Sequence, residues 1–101
     1  MTLALGLLLA ASLDGHAALR HASALASLGP HTWGSPRNEA AALYVASQLR
    51  EAGLDEVELQ RFERQGVQGT NVVATLRAAS EEFVLVAAHH DTASTSPGAY
   101  D

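Results

Sequence analysis

The chain has 101 residues, 48% of them apolar, which fits one small folded domain and excludes a disordered chain. Its formal net charge is -5, and its six basic residues are all Arg and form no cluster, so we do not expect nucleic acid as a partner. The chain has no Cys, so any metal ion must be held by His and carboxylate side chains.

The amino-terminal segment, residues 1–12, is apolar from Leu3 to Ala11. It is shorter than the roughly 20 residues that a membrane-spanning helix needs. Its length is typical of the apolar part of a signal peptide, but the basic residue that normally begins a signal is absent. Three interpretations stay open: the end of a membrane segment, a degenerate signal, or a buried first helical turn. We expect an exported or membrane-anchored protein rather than a cytoplasmic one, with any membrane association made through this segment.

The first helix is predicted from Asp14, which can cap its start, to Leu28, where Gly29 and Pro30 end it. Its apolar positions recur at helical spacing on one face: Ala18, Ala22, Leu25 and Leu28. His16 and His21 are expected to be exposed on this helix.

The second helix follows the loop GPHTWGSP, in which His31 and Trp33 are expected to brace the loop against the domain. Ser35 is the predicted cap, Pro36 takes the first helical position, and Gly53 follows the end. One face of this helix is apolar and consists of Ala42, Val45, Ala46 and Leu49. Asn38 is expected to help the helix start.

Three strands are predicted after the helices. Residues 56–64 alternate between apolar and polar, Gly66 and Gly69 mark a connection, and residues 71–76 are β-branched and apolar. Residues 83–88, FVLVAA, form a continuous apolar run that is typical of a strand buried on both faces of an α/β sheet. Asn71 is expected to fix a turn at a strand edge, and the acidic pair Glu81-Glu82 is expected to be a solvated turn.

Candidate metal ligands follow the last predicted strand. His89 and Asp91 are two residues apart, so in an extended chain their side chains point to the same side. They also lie at the carboxyl end of the strand, where open α/β sheets bind ligands. Asp101 comes after a loop of small residues that Pro97-Gly98 can turn back toward His89, and its carboxylate would then suit a bridge between two metal ions. His-x-Asp alone is a weak signal.

The flanking segments add a family resemblance. The segments GPHTWGSPRNEAAALYVASQLREAGL, GTNVVATL and VLVAAHHDTASTSPGAYD resemble the amino-terminal third of the di-zinc aminopeptidases of metallopeptidase family twenty-eight, which include bacterial leucyl aminopeptidases. The resemblance covers residues 12–101, and its most specific part follows the family pattern A-H-x-D-[ST], a short loop, then P-G-x-x-D. The positions in register are Ala88, His89, Asp91, Thr92, Pro97, Gly98 and Asp101.

The resemblance implies the amino-terminal part of a mixed-sheet α/β zinc exopeptidase fold, with two helices and then three strands in residues 13–101, incomplete in this chain. It implies that His89 is a ligand of one zinc ion and that Asp101 bridges two zinc ions. It gives Asp91 the catalytic supporting role of the carboxylate that orients the metal-bound His. His90 fills a variable position and is expected to be structural.

The implied activity is the removal of amino-terminal residues from peptides, which are the expected partners and substrates. The family's adjacent Glu pair, a further carboxylate and a distal His do not occur in this sequence at the matching places, so the chain resembles a front fragment. We therefore expect this chain alone to bind zinc weakly, to leave peptides uncleaved, and to be marginally stable and prone to aggregate.

Two alternatives stay open. The chain suits a non-catalytic peptidase-like binding or scaffold module, although intact ligand types at His89, Asp91 and Asp101 argue against it. Related carboxypeptidases and deacylases also use His-x-Asp, but they usually continue with a Val-Val-Pro type of run, and TASTSPGAYD fits the aminopeptidase type better. Substrate preference and oligomeric state are not indicated by the sequence.

Overall fold

The structure is a computed structural model that describes residues 13–100. Two helices, α1 Gly15–Ala26 and α2 Pro36–Glu51, precede two strands, β1 Glu56–Arg64 and β2 Val67–Thr75. The protein is thus a small mixed α/β fold with a two-stranded antiparallel sheet. The apolar segment 1–12 and the candidate ligand Asp101 lie outside the described residues. Within residues 13–100, no helix is both long enough and apolar enough to cross a membrane.

Helix α1 begins at its predicted cap. The Asp14 carboxylate accepts hydrogen bonds from the backbone N–H groups of His16 and Ala17, at 2.9 and 3.3 Å. None of the residues of α1 is buried, and His16 and His21 are exposed as predicted. His21 Nδ1 lies 2.8 Å from the Tyr44 hydroxyl, which connects α1 to α2. The helix ends near the predicted glycine, Gly29, whose φ of 76° is easily reached only without a Cβ.

Helix α2 also follows its local signals. The Ser35 side chain caps it by accepting from the Asn38 N–H, Pro36 is its first residue, and Gly53 follows its end with a φ of 88°. Its buried apolar residues are small: Ala41, Ala42 and Ala46. In residues 13–100 no large side chain is fully buried. The helix therefore packs closely on the sheet but removes little apolar area from water, which limits the stability that burial supplies.

The two strands form a tight hairpin. Gln65 and Gly66 connect them, and both have positive φ, 54° and 77°. A two-residue turn with both φ values positive matches the right-handed twist of paired strands. Strand β1 has the predicted bounds, while β2 begins at Val67, before the predicted residue 71.

The early start of β2 corrects the interpretation of Gly69 and Asn71. Gly69 is not in the connection but pairs with Phe62 inside the sheet, and Asn71 pairs with Gln60 rather than fixing a turn. A Cβ on Gly69 would collide with the rings of Phe62 and Trp33. The glycine is therefore required because two side chains approach its backbone closely. From the sequence alone, this requirement cannot be told from a glycine that forms a turn.

Helix α2 packs against one face of the hairpin and leaves the other face open. The facing side alternates along both strands and carries Val57, Leu59, Arg61, Thr70, Val72 and Ala74, all of which except Arg61 are buried or half-buried. The opposite, outer face carries Phe62, Arg64 and Asn71, which are exposed. The outer face therefore offers its side chains to other parts of the chain or to a ligand.

The predicted third strand is wrong for this structure. Residues 83–88 form no strand, and Phe83, Val84, Leu85 and Val86 are 85%, 90%, 78% and 89% exposed. A strand that is apolar on both faces needs packing on both faces. The apolar face of α2 is already used against the hairpin, so nothing among residues 13–100 covers this segment. Glu81 and Glu82 are exposed, as predicted for a solvated turn.

We expect the double substitution Val84→Lys, Val86→Lys to leave the free energy of unfolding unchanged within about 0.5 kcal/mol, because both side chains are in solvent. It should also reduce self-association, because an exposed apolar run without charges promotes β-pairing between chains. Urea denaturation and sedimentation velocity measure the two effects. Val72→Lys is the matched control, since Val72 is half-buried under α2, and we expect a loss of at least about 1 kcal/mol. An equal loss in the double variant would show that the segment is packed.

Candidate metal centre

Residues 90–92 are held beside the loop that precedes α2. The His31 backbone N–H donates to Thr92 Oγ1 at 2.8 Å, and the Thr92 N–H donates to the His31 carbonyl at 3.2 Å. His31 Nδ1 donates to the Gly29 carbonyl at 2.7 Å, which orients the His31 ring within its own loop. The expectation that His31 braces the loop is therefore confirmed.

His90 joins the same segment to the hairpin and to α2. Its Nε2–H donates to the Thr70 carbonyl at 2.9 Å, so the other ring nitrogen, Nδ1, accepts from Asn38 Nδ2 at 3.3 Å. The same Asn38 amide donates to the His31 carbonyl at 3.3 Å. His90 thus has the structural role that was expected of it, and Asn38 does more than start a helix.

We call these five residues, His31, Asn38, Thr70, His90 and Thr92, the anchor network. His31, Asn38 and Thr70 are only 3%, 4% and 5% exposed, and they are the buried polar residues of the part of the chain that the structure describes. Within those residues every buried side-chain N or O atom has a hydrogen-bond partner. Satisfied polar groups of this kind stabilise one arrangement. The segment that carries His89 and Asp91 is therefore held in place at His90 and Thr92, although residues 83–88 before it are unsupported.

The anchor network was only partly visible in the sequence. The sequence predicts structural roles for His31, Asn38 and His90, but no local spacing indicates Thr70, which lies in a strand 20 residues before its partner His90. Thr92 fits the family pattern, but the pattern does not predict its contact with His31. Such long-range hydrogen bonds depend on how α2 is placed on the hairpin, which a local pattern does not encode.

His89 and Asp91 meet as their two-residue spacing predicts. His89 Nδ1 lies 3.2 Å from Asp91 Oδ1 and 3.0 Å from the Asp91 backbone oxygen. Both oxygens are acceptors, so Nδ1 carries the proton that it donates to them. The side chains are 63% and 46% exposed, so both can be reached from solvent.

This donor set has the chemistry of a zinc site but not its full number of ligands. Neutral imidazole supported by a carboxylate at its other nitrogen is the usual arrangement of a zinc-bound His. A catalytic zinc site takes three protein ligands and a water molecule. Among residues 13–100 no group of three or more His, Asp or Glu side chains is placed to hold a metal ion, and Asp101 lies outside them. His89 and Asp91 therefore fit zinc as part of a site.

A charged pair lies beneath the anchor network, between α2 and the hairpin. Glu39 Oε2 accepts from Thr70 Oγ1 at 2.7 Å, and Glu39 Oε1 pairs with Arg61 Nη1 at 2.7 Å. The Thr70 hydrogen bond is the largest influence and lowers the pKa of Glu39. Burial opposes it, while Arg61 and the nearby His90 lower the pKa further. Because Thr70 also contacts His90 through its carbonyl, this pair supports the same anchor.

His89 and Asp91 line an open cavity of about 270 Å³ together with two aromatic side chains, Trp33 and Phe62. The rings of Trp33 and Phe62 are stacked, with centroids 6.2 Å apart and an interplanar angle of 20°. Arg64 and Asn71 also line the cavity. Trp33 therefore packs on β1 from its loop. Its place in the lining of a cavity is not predicted by the sequence.

Comparisons of the chain with protein-family models, with curated proteins and with solved structures found no match. The structure itself supports a small mixed α/β fold with two helices and a two-stranded sheet. The resemblance to di-zinc aminopeptidases therefore depends on the sequence segments alone. The contacts of His89 and Asp91 give it a chemical basis that can be tested directly.

We expect Asn38→Ala to lower the free energy of unfolding by about 1–3 kcal/mol, because it leaves His90 Nδ1 without its donor and removes one of the two donors to the His31 carbonyl. Urea denaturation measures this loss. Hydrogen exchange of the Thr92 amide should also become faster, because Thr92 is bound to His31. Asn71→Ala, at an exposed position of β2, is the control and should change stability by less than about 0.5 kcal/mol. Equal effects in the two variants would contradict a special role of Asn38.

Glu39→Gln should flatten the acid dependence of stability. A carboxylate whose pKa is lowered in the folded state stabilises the fold above its ordinary pKa, and that contribution is lost as the pH falls through the lowered value. Near neutral pH the variant should lose about 1 kcal/mol or less, because Arg61 is mostly in solvent. Denaturation curves across the acid range measure both effects, with Glu58→Gln on the outer face as the control for charge. An acid dependence that Glu39→Gln leaves unchanged would refute this assignment.

Proposed function

We propose that this chain carries part of the metal centre of a di-zinc aminopeptidase, in which His89 binds one zinc ion and Asp101 bridges two. The observation that carries the proposal is the hydrogen bond of His89 Nδ1 to Asp91, which is the kind of carboxylate contact that a zinc-bound His makes through its other ring nitrogen. The register of the segment from Ala88 to Asp101 with the family pattern supports it. Peptides are the proposed substrates.

Asp91 has the catalytic supporting role in this proposal. By accepting the Nδ1 proton it fixes the His89 tautomer and makes Nε2 a better electron donor. The anchor network holds the chain at His90 and Thr92, directly after His89, and the Asp91 contact orients the His89 ring. When bound, paired zinc ions polarise a scissile carbonyl and lower the pKa of a bound water molecule.

The same proposal predicts that this chain alone does not complete the reaction. His89, Asp91 and Asp101 are fewer protein ligands than two zinc ions require, and the exposed Glu81-Glu82 pair is a solvated turn rather than a general base. We therefore propose weak zinc binding without peptide hydrolysis for the chain in isolation. A full aminopeptidase centre needs further ligands and a base.

A non-catalytic peptidase-like binding module is the second candidate. Zinc binding separates the two candidates, because a binding module has no need of a metal-directed imidazole.

Zinc should bind this chain weakly and through His89. We expect His89→Ala to abolish binding and Asp91→Asn to weaken it by roughly 10- to 100-fold, because Asp91 supports the ligand. Asp101→Asn should weaken it as well. Calorimetric titration gives the affinity, and the imidazole NMR signals identify the His that responds. His16→Ala, on the exposed surface of α1, is the control. Binding that survives His89→Ala would refute the proposed ligand.

The activity test uses a chromogenic leucine anilide and the purified chain with added zinc. We expect no hydrolysis above the metal-only blank, because the base and several ligands are not supplied by this chain. Hydrolysis that disappears in His89→Ala would overturn the predicted inactivity while supporting the metal assignment.

A further inference from the structure

The apolar segment 83–88 has an open backbone as well as exposed side chains. Phe83, Val84, Leu85 and Val86 are between 78% and 90% exposed. Among the described residues, those from 83 to 88 make no backbone hydrogen bond. The chain from residue 82 to residue 93 contains no helix, turn or bend, so it is extended. An extended apolar segment with unpaired N–H and C=O groups is the kind of segment that pairs with another strand.

The described part of the same molecule supplies no partner strand for this segment. Within residues 13–100 the sheet consists of β1 and β2, which pair with each other. The contacts to His31, Asn38 and Thr70 hold the chain from His90 onward, after the apolar segment has ended. The segment is therefore carried on a fixed end while its own edges stay open.

The charges at the two ends of the segment favour antiparallel pairing with a second copy of itself. Glu81 and Glu82 precede the apolar run, and His89 and His90 follow it. Parallel pairing in register would place each Glu beside the same Glu of the second copy, and like charges directly opposite each other destabilise a sheet. Antiparallel pairing places the acidic end beside the histidine end. The segment is therefore complementary in charge to a reversed copy of itself.

Two-fold symmetry and side-chain matching select one register. In a symmetric antiparallel pair the axis passes beside a residue that faces its own copy. An axis at Val86 would place Glu81 opposite Asp91, and an axis at Val84 would place Glu82 opposite Val86. An axis at Leu85 avoids both mismatches. The facing positions are then Leu85 with Leu85, Val84 with Val86, Phe83 with Ala87, and Glu81 with His89.

We propose that two copies of this chain associate through residues 83–88 as a two-fold antiparallel strand pair centred on Leu85. The pairing satisfies open backbone groups and removes large apolar side chains from water. The paired segment is short, so the interface stays below the roughly 1,000 Å² of a stable one and the dimer is weak. The net charge of -5 on each chain opposes the addition of further copies.

The facing valines allow a test of the register by charge. Val84→Lys and Val86→Glu each place a charge opposite an uncharged valine, so each variant alone should dimerise at least about 10-fold more weakly than the wild type. An equal mixture of the two should recover dimerisation, because position 84 of one copy faces position 86 of the other. Both positions are mostly in solvent, so the fold is kept.

Sedimentation velocity over about a hundredfold range of concentration measures these dimer fractions in the full chain. A mixture of Val84→Lys with Leu85→Glu is the control, since positions 84 and 85 lie on opposite faces of the strand, and it should not recover. Recovery in both mixtures or in neither would overturn the proposal. A wild type that stays monomeric, or that forms mainly species larger than dimers, would overturn it as well.

A cross-link tests the position of the two-fold axis. The chain has no Cys, so Leu85→Cys and Val86→Cys each introduce a single thiol. Directly facing Cα atoms are roughly 4.5–5.5 Å apart, within disulfide reach, whereas position 86 lies farther from its own copy. With oxidised glutathione accepting the two electrons, Leu85→Cys should form linked dimers at least about 10-fold faster. Equal rates, as parallel pairing or random collision gives, would refute the register.

The dimer does not rest on the proposed function. The sedimentation and cross-linking experiments contain a chelator and no zinc, so their failure leaves the zinc assignment of His89 standing. A failed zinc titration likewise leaves the dimer standing, because the pairing uses the apolar segment and not the metal.

Discussion

One side-chain amide joins the parts of this protein that are far apart in sequence. Asn38, in the first turn of α2, donates to the His31 carbonyl and to the ring of His90, and through His90 it is linked to the Thr70 carbonyl in β2. Because Asn38 is only 4% exposed, its amide is buried, and the loss of these hydrogen bonds would be costly. The position of the candidate metal ligands depends on this amide more than on any apolar contact.

Polar contacts are important for holding this fold together because its apolar core is small. The buried apolar side chains of residues 13–100 are alanines, while the four large apolar side chains of residues 83–86 are in solvent. The chain therefore has enough apolar residues to fold but buries few of them. Hydrogen bonds whose loss is costly, rather than area removed from water, give this fold its single arrangement.

Local features could be predicted from the sequence, and tertiary ones could not. Asp14, Ser35 and Gly53 mark helix ends because a cap acts within a few residues, and the meeting of His89 with Asp91 follows from their spacing. The start of β2 was misplaced because a glycine gives the same signal whether it makes a turn or makes room for rings. The prediction of a third strand was wrong because an apolar run indicates that a segment favours burial, but not whether other elements are placed to cover it. The stacking of Trp33 on Phe62 and the contacts of Thr70 gave no local signal, since they join elements that are distant in the sequence.

The separation of the anchoring contacts along the chain has a kinetic consequence. The hairpin closes over two turn residues, whereas the His31–Thr92 contact joins residues that are 61 positions apart and the Asn38–His90 contact joins residues 52 apart. Closing a longer loop costs more chain entropy, so contacts of short separation form earlier in folding. We therefore expect the hairpin and α2 to form first and the segment bearing His89 and Asp91 to dock on them last. In that order of events the candidate metal ligands are assembled in the final folding step and are the first to be released when the molecule begins to open.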